Sequence, residues 1–291
     1  MKVFVCGGTG FVGSHLVDEL LRCGHQVRLL VHHRAIDRDG VEHVEGDATS
    51  PESFEAALSG CDAVVNLVGI IREFPARQIT FARLHVAVTA NMLAAAARHG
   101  IKRYLHMSAL GTRDNAVSNY HRTKFMAEEL VRRSKLDWTI FRPSLIYGPG
   151  DAFITMLADQ LRVFPVIPVI GDGCYRLQPI HAADVAAGFV KSLAMPQTVD
   201  RIYELCGSQR MSYVELLDAV AEALGRSRPL KLHLPLMLMK PLVHALQGFA
   251  AFPVTSDQLQ MLLEENICSG QSADIFGLQS RDLLTEISAY L

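Results

Sequence analysis

MKVFVCGGTGFVG, residues 1–13, decides how the rest of the chain is organised. Val3, Phe4 and Val5 make a short apolar run of the β-branched and aromatic kind that fills a buried parallel strand. Gly7, Gly10 and Gly13 follow at three-residue spacing, and a helical pattern begins near Phe11. In such a strand-to-helix turn the first glycine permits the tight bend. The second lets backbone approach a phosphate, and the third lets the helix pack close on the strand. The helix start adds free N–H groups and a positive dipole end. Gly7, Thr9, Gly10, Phe11, Val12 and Gly13 are therefore the expected cradle of a pyrophosphate. A glycine triplet alone says little; a strand before it and a helix after it give it meaning.

Outward from the turn, Phe11, Val12, Leu16, Leu20 and Leu21 predict a helix over 11–23, closed by Gly24. A second strand is expected over 26–31. An acid at its end would take a ribose 2′-OH, whereas basic residues accommodate a 2′-phosphate. The chain has His32, His33 and Arg34 there, with Arg38 beyond and no acid before Asp37. NADP(H) is thus expected over NAD(H), with Arg34 as the phosphate partner; a solvated basic loop is the alternative.

Further strands are expected over 43–45, 62–67, 103–107 and 138–141. Gly46-Asp47-Ala48 follows the first of these, and Ser50-Pro51 reads as the cap and first residue of a helix to Leu58. Ligands sit outside the carboxyl ends of parallel strands, so Leu67, Val68, Gly69 and Met107 are expected along the cofactor cleft. Residues 72–80 read as a loop over it, and 81–99 as an Ala-rich helix stopped by Gly100. A helix over 119–133 completes an alternation whose economical fold is a doubly wound parallel sheet of about seven strands.

After Arg142-Pro143-Ser144 the alternation breaks. A helix is expected over 151–162. Strands over 177–180 and 201–205 flank a helix over 182–193 and are assigned to the main sheet. Ser212 and Glu215 form a capping box opening a helix to Leu224. The expected division is a dinucleotide domain over 1–150, rejoined by 177–206, and a smaller, mostly helical cap over 151–176 and 207–291. Residues 230–254 are rich in Leu, Met and Pro, and Pro235, Pro241 and Pro253 forbid one long helix. They read as small-domain core, with a greasy pocket wall or a docking surface for a membrane or partner as alternatives.

The chain's 291 residues are 49% apolar, enough for a sizeable core, and the formal net charge of −2 implies no general attraction to nucleic acid or anionic lipid. Six scattered cysteines without a C-x-x-C, one of them Cys6 inside the first strand, suggest reduced cytosolic thiols and neither a disulfide nor a zinc framework. A strand starting at residue 2 leaves no room for a signal peptide, and no apolar run reaches about 18 residues. The expected location is cytoplasmic, with peripheral attachment to the inner membrane face as an alternative. No metal-ligand spacing appears: His181 reads as loop packing and Asp184 as a helix cap, and His85, His99 and His106 stand alone. Ser14 and His15, just past the turn, are polar enough to touch phosphate. Arg142 reads as a salt bridge in the cleft or an anchor of its strand.

Tyr120 and Lys124 lie four apart on one helix face. A neighbouring ammonium and an oxidised nicotinamide favour a phenolate, and bringing a Tyr from about 10 to about 7 takes about 4 kcal/mol. Such a Tyr would donate a proton to a carbonyl in reduction, or remove one in reverse. Ser108, at the end of the fifth strand, would hydrogen-bond the same oxygen.

With those residues the chain resembles the extended and atypical short-chain dehydrogenase/reductases. Within them it is similar to the branch holding the nucleotide-binding accessory subunit of respiratory complex I and its bacterial relatives. The likeness rests on GGTGFVG (7–13), GDA (46–48), NLVG (66–69), HMSALG (106–111), YHRTKFMAEE (120–129), WTIFRPSLIYGPGD (138–151), QPIHAADVA (178–186) and TSDQLQML (255–262). It implies a Rossmann-type fold, adenine near Asp47 and Ala48, nicotinamide near Pro143 and Ser144, and Tyr120 with Lys124 as the active-site pair. Other tetrad positions depart from the pattern. His85 stands where a helix Asn is usual, Ala109 where extended members often carry Ser or Thr, and the segment from Ser108 to Tyr120 is short. Three readings follow: an NADP-dependent oxidoreductase on an apolar carbonyl or quinone-like compound, a catalytically silent cofactor-holding subunit of a membrane-associated NADH:quinone oxidoreductase, and an epimerase or dehydratase on a nucleotide sugar.

Overall fold

The apolar run becomes β1 (Lys2–Cys6), and the glycine turn delivers the chain into α1 (Phe11–Arg22). β2 (Gln26–Val31), β3 (Val41–Glu45) and β4 (Ala63–Asn66) follow, then α2 (Val88–Arg98), β5 (Arg103–Met107), α3 (Asn119–Arg133) and β6 (Asp137–Pro143). Next come β7 (Ile146–Tyr147), α4 (Phe153–Val163), β8 (Val166–Ile170), β9 (Arg176–Leu177) and β10 (Ile180–His181). α5 (Ala182–Leu193), β11 (Arg201–Leu205), β12 (Met211–Ser212) and α6 (Tyr213–Ala223) precede β13 (Leu230–Leu234), α7 (Leu236–Leu246), α8 (Ser256–Leu263) and α9 (Leu283–Ser288). This computed structural model describes residues 1–32, 38–247, 254–270, 274–278 and 281–291.

Seven parallel strands form one sheet in the order β11-β6-β5-β4-β1-β2-β3. The chain steps outward from β1 through β2 and β3, then returns to β1's other side and steps away through β4, β5 and β6. The direction therefore switches between β1 and β4, and ligands of such sheets bind at the carboxyl ends there. Phe4, Val64, Met92, Tyr104, Trp138 and Ile140 build the core on one side, and α1 packs with α5.

Two compact units divide the chain. The first holds Met1–Pro143, Ala182–Leu205 and Gly270–Leu278; the second holds Ser144–His181, Cys206–Ser269 and Gln279–Leu291. The second has its own core of Tyr147, Leu157, Ile167, Val169, Leu216 and Ile287.

Several local expectations are corrected. The strand expected over 177–180 is not in the main sheet: β9 pairs with β12 and β10 with β7. Pro179 splits it, because proline has no N–H for a ladder. β11 does join the main sheet, beside β6. The helix expected over 50–58 is two 3₁₀ turns, Pro51–Ser53 and Glu55–Leu58, and Ser50 makes no side-chain cap. Ser53 Oγ instead accepts the Asp47 N–H at 2.9 Å and donates to the Ser50 carbonyl at 2.7 Å, and Phe54 leaves helical geometry at φ −136°. The helix expected over 81–99 opens with a π-helical turn, Ala82–Ala87. As the prolines require, no single long helix runs over 230–254 among the described residues: β13 ends at Leu234 and α7 spans Leu236–Leu246, with Pro241 inside it.

Residues 230–254 are mostly not core where they are described. Leu230, Leu232, Met237, Leu238 and Leu242 are exposed, and Val243 is buried. The β8–β13 ribbon has one covered face, so alternate residues turn outward. The thiol expectation fails at one pair: Cys206 and Cys268, separated by 62 residues, are joined by a disulfide with their Cα atoms 6.1 Å apart. The fold supplies a nearness that sequence spacing does not show. Cys6 and Cys61 are buried free thiols, and Cys23 and Cys174 exposed ones. Among the described residues no helix is long and apolar enough to cross a membrane.

Candidate functional site

The glycine turn sits at the switch point, and each glycine has its own reason. Gly7 adopts φ +85°, and a Cβ there would meet the Leu67 and Val68 backbone at 3.0 Å. A Cβ on Gly13 would lie 2.3 Å from the Gly7 carbonyl and 2.5 Å from Gly8 Cα, so the helix can pack here only without a side chain. Gly10 differs: its Cβ would meet only the Gly7 carbonyl, at 3.4 Å. Gly8, which the spacing argument passed over, is fixed by packing, with Leu29 Cδ1 2.3 Å from its virtual Cβ. Gly10 caps α1 with no side-chain hydrogen bond, and the first turn carries no acid. Phe11, Val12 and Gly13 thus begin α1 with amide donors that no capping side chain satisfies, a fit for a diphosphate. Ser14 Oγ turns back to the Phe11 carbonyl at 2.8 Å, and the His15 ring packs edge-on to Phe11 at 5.6 Å.

Asp47 and Ala48 lie just beyond β3. Asp47 Oδ1 accepts the Thr49 N–H at 2.8 Å, and Oδ2 is 3.8 Å from His32 Nε2. Burial opposes the charge on Asp47, but the Thr49 bonds and His32 outweigh it and hold its pKa below the usual carboxylate value. The Ala48 carbonyl accepts from Asn91. His33 and Arg34, the expected 2′-phosphate partners, lie outside the described residues. Arg38 is described, and its Nε donates to Asp18 on α1 at 2.8 Å.

Across the switch point, Asn66 at the end of β4 accepts the Val68 N–H at 3.1 Å and donates to Tyr104 and Thr89. That fixes the path of Leu67, Val68 and Gly69. The α3 lysine runs beneath them: Lys124 Nζ donates to the Met107 carbonyl at 3.0 Å and the Val68 carbonyl at 3.4 Å. A Cβ on Gly69 would stand 2.8 Å from that ammonium, so a side chain there would push the lysine tip from its present seat. Burial lowers the Lys124 pKa to about 8, against the opposing field of Glu128.

Ser118 caps α3 by accepting the His121 N–H, and α3 presents Tyr120 and Lys124, both buried. The Tyr120 ring is edge-on to Phe81 at 5.8 Å and to His85 at 5.4 Å. The lowering expected from Lys124 does not appear; burial pushes the phenol up to about 12. Ser108 Oγ donates to Thr112 Oγ1 at 3.3 Å, and its N–H to the Phe141 carbonyl at 2.7 Å. His85 comes from the π-helical turn, a distortion frequent at functional sites. Its Nδ1 lies 2.9 Å from Thr123 Oγ1, its Nε2 3.2 Å from the Ile70 backbone, and its ring stacks on Phe81. Burial and then Lys124 lower its pKa to about 2, so the ring is neutral.

Pro143 ends β6 and accepts the Leu110 N–H at 2.9 Å. Ser144 belongs to the second unit, where its Oγ donates to the Gln178 carbonyl at 2.5 Å. Arg142 is a strand anchor, donating twice to the fully buried Glu128 carboxylate, at 2.8 and 2.6 Å. His181 packs on Tyr147 in the second unit. No group of His, Cys, Asp and Glu suited to a metal occurs among the described residues.

The profile described as "NAD dependent epimerase/dehydratase family" matches residues 3–206. The subunit 9 protein of the NADH dehydrogenase [ubiquinone] 1 alpha subcomplex, mitochondrial, of Dictyostelium discoideum is 30% identical, over 86% of this chain and 71% of its own. A Caulobacter vibrioides protein named ceramide reductase is 32% identical, over 80% of this chain and 73% of its own. In fold, the chain superposes on dTDP-glucose 4,6-dehydratase of Streptomyces venezuelae, solved with NAD and TYD bound. The TM-score is 0.78 at 19% identity, covering 100% of this chain and 95% of that one.

Proposed function

We propose, from the premise that the chain belongs to the NAD-dependent epimerase/dehydratase family, that it holds NADP(H) across the glycine turn and reduces an apolar carbonyl or quinone-like compound at Tyr120. The observation that carries the reading is the pairing on α3: Lys124 is drawn beneath Gly69 by two carbonyls, one helical turn from a phenol that keeps its proton at neutral pH.

The dinucleotide supplies hydride when bound. Gly7, Thr9, Gly10, Phe11, Val12 and Gly13 would hold its diphosphate, Asp47 and Ala48 its adenine side, and Leu67, Val68, Gly69, Met107, Pro143 and Ser144 its nicotinamide side. His32, His33 and Arg34 would select NADP(H) over NAD(H) by charge. Lys124 fixes the ribose end. Tyr120 holds the proton that a reduced carbonyl oxygen takes up, and Ser108 offers a second hydrogen bond once its hydroxyl leaves Thr112. His85, neutral and tied to Thr123, keeps the Tyr120 ring in place. The name of the Caulobacter relative agrees with an apolar carbonyl substrate.

A second reading has its own observations. Tyr120 is shifted away from neutrality, and the Ser108 hydroxyl is bonded to Thr112. Both suit a cofactor-holding subunit of a membrane-associated redox complex that performs no turnover; the Dictyostelium relative is named as a subunit of an NADH dehydrogenase. NADPH oxidation over a panel of long-chain ketones and quinones separates the two. The oxidoreductase reading expects turnover that Tyr120→Phe lowers by about a hundredfold or more with NADPH affinity kept. NADPH binding with no turnover on any member of the panel contradicts it and leaves the silent subunit.

A further inference from the structure

In the second unit, β8 and β13 pair in parallel, Leu230 beside Val166 and Leu232 beside Pro168. One face of this ribbon is sealed: Ile167 and Val169 are fully buried. The other carries Val166, Leu230 and Leu232 outward, with Leu230 70% exposed. At the ribbon's end the Gly171 N–H donates to the Leu234 carbonyl, and the chain enters α7 through Pro235. Helix α7 buries Val243 and leaves Met237 87% and Leu238 67% exposed, with Leu242 beside them. Large side chains so bare, carried by one stretch of the second unit, mark a surface that is covered in use.

The charge around them selects the cover. Between Glu222 and Asp257 the sequence has no carboxylate, while it has Arg226, Arg228, Lys231 and Lys240, together with His233 and His244. Lys231 is spent on Asp218, at 2.5 Å. Arg226 donates to the Leu161 carbonyl, and Arg228 and Lys240 are exposed without an ion pair among the described residues. A chain of net charge −2 thus carries its barest apolar side chains in a stretch that holds cations and no carboxylate. Apolar residues to enter the acyl boundary, rimmed by cations to meet head groups, are what an anionic bilayer surface binds. No helix here spans a membrane among the described residues, so the contact would be one of lying on the surface.

We propose that the outer face of the β8–β13 ribbon and the exposed face of α7 dock this protein on a membrane surface rich in anionic phospholipid. The docking is independent of the dinucleotide reading.

Co-sedimentation of the full chain with phosphatidylcholine vesicles, with and without phosphatidylglycerol, tests it. Binding is expected only with phosphatidylglycerol, and it weakens as salt is raised. Arg228→Glu with Lys240→Glu weakens partitioning about tenfold or more. Met237→Ser with Leu238→Ser, both exposed and so neutral to folding, also abolishes it, and unchanged melting curves verify the fold. Equal sedimentation with both vesicle types, no sedimentation with either, or variants that bind like the parent would overturn the proposal. So would sedimentation equilibrium showing a dimer of the parent that the Met237 and Leu238 substitutions dissociate, since a second copy would then be the cover.

Discussion

His106 is the buried residue whose chemistry is least satisfied. It lies on β5, 1% exposed, stacked on Tyr104, and neither ring nitrogen has a hydrogen-bond partner among the described residues. Burial, with Lys124 adding to it, lowers its pKa from 6.5 to about 3. An unfolded chain takes up this proton near 6.5, the native chain only near 3. Stability is therefore complete above pH 6.5 and falls as the pH drops toward 3, by about 1.4 kcal/mol per pH unit for this ring. His85, at about 2, adds a parallel loss. His106→Phe keeps the stacking and removes the two orphan nitrogens. Urea unfolding at a series of pH values should show it about 1 kcal/mol more stable than the parent at pH 7.5, with a shallower acid limb. An unchanged acid limb would mean that the ring titrates freely. Sequence reading found His106 only as a lone histidine, because burial without a partner is set by the packing of β5 and leaves no spacing signal. Tyr120 and Lys124 were legible because helix period alone puts them on one face; the rise of the Tyr120 pKa was not, since it comes from burial of the phenol in the folded chain.

Among the elements, the strand–turn–helix unit was legible because its signals are local: an apolar run, glycines at fixed offsets, a helical period. The same holds for α3 and α5, which cover the residues the pattern predicts. The helix expected over 50–58 failed because Ser53, not Ser50, makes the decisive hydrogen bonds, and no residue pattern shows which serine will turn inward. β8 and β13 escaped notice because one is a short apolar run broken by Pro168 and the other a short alternating run, and each gains meaning only from the other. The glycines of the turn should separate folding from binding. Gly13→Ala places a methyl 2.3 Å from a carbonyl and should destabilise the fold by several kcal/mol or prevent it. Gly10→Ala meets only one atom, at 3.4 Å, in an extended conformation that alanine adopts, and should melt within a few degrees of the parent. Yet it sets a methyl where the diphosphate would approach, and dinucleotide affinity should fall by tenfold or more. Calorimetric titration alongside thermal melting checks both; a Gly10→Ala protein that binds like the parent would place the ligand elsewhere.

For the whole chain, the unit division and the disulfide depend on which distant segments meet, and local pattern is silent about that. The 62-residue separation closed by Cys206 and Cys268 constrains the unfolded chain, for which loop-entropy reasoning gives about 4 kcal/mol. Cys206→Ser should lower urea stability by up to that amount, and the parent in reductant should match the variant. Net charge likewise misleads when taken whole: −2 overall hides the carboxylate-free stretch between Glu222 and Asp257. The account as a whole stands on bare amides at the switch point of the sheet receiving a dinucleotide, and a thermal melt with and without NADPH and NADH tests it most directly. Saturating NADPH should raise the melting temperature, by the equivalent of about 2.7 kcal/mol at a hundredfold excess over its dissociation constant. NADH should raise it less, and Gly10→Ala should cut the effect to about half or less at the same NADPH concentration. A parent curve that neither dinucleotide moves would contradict the account.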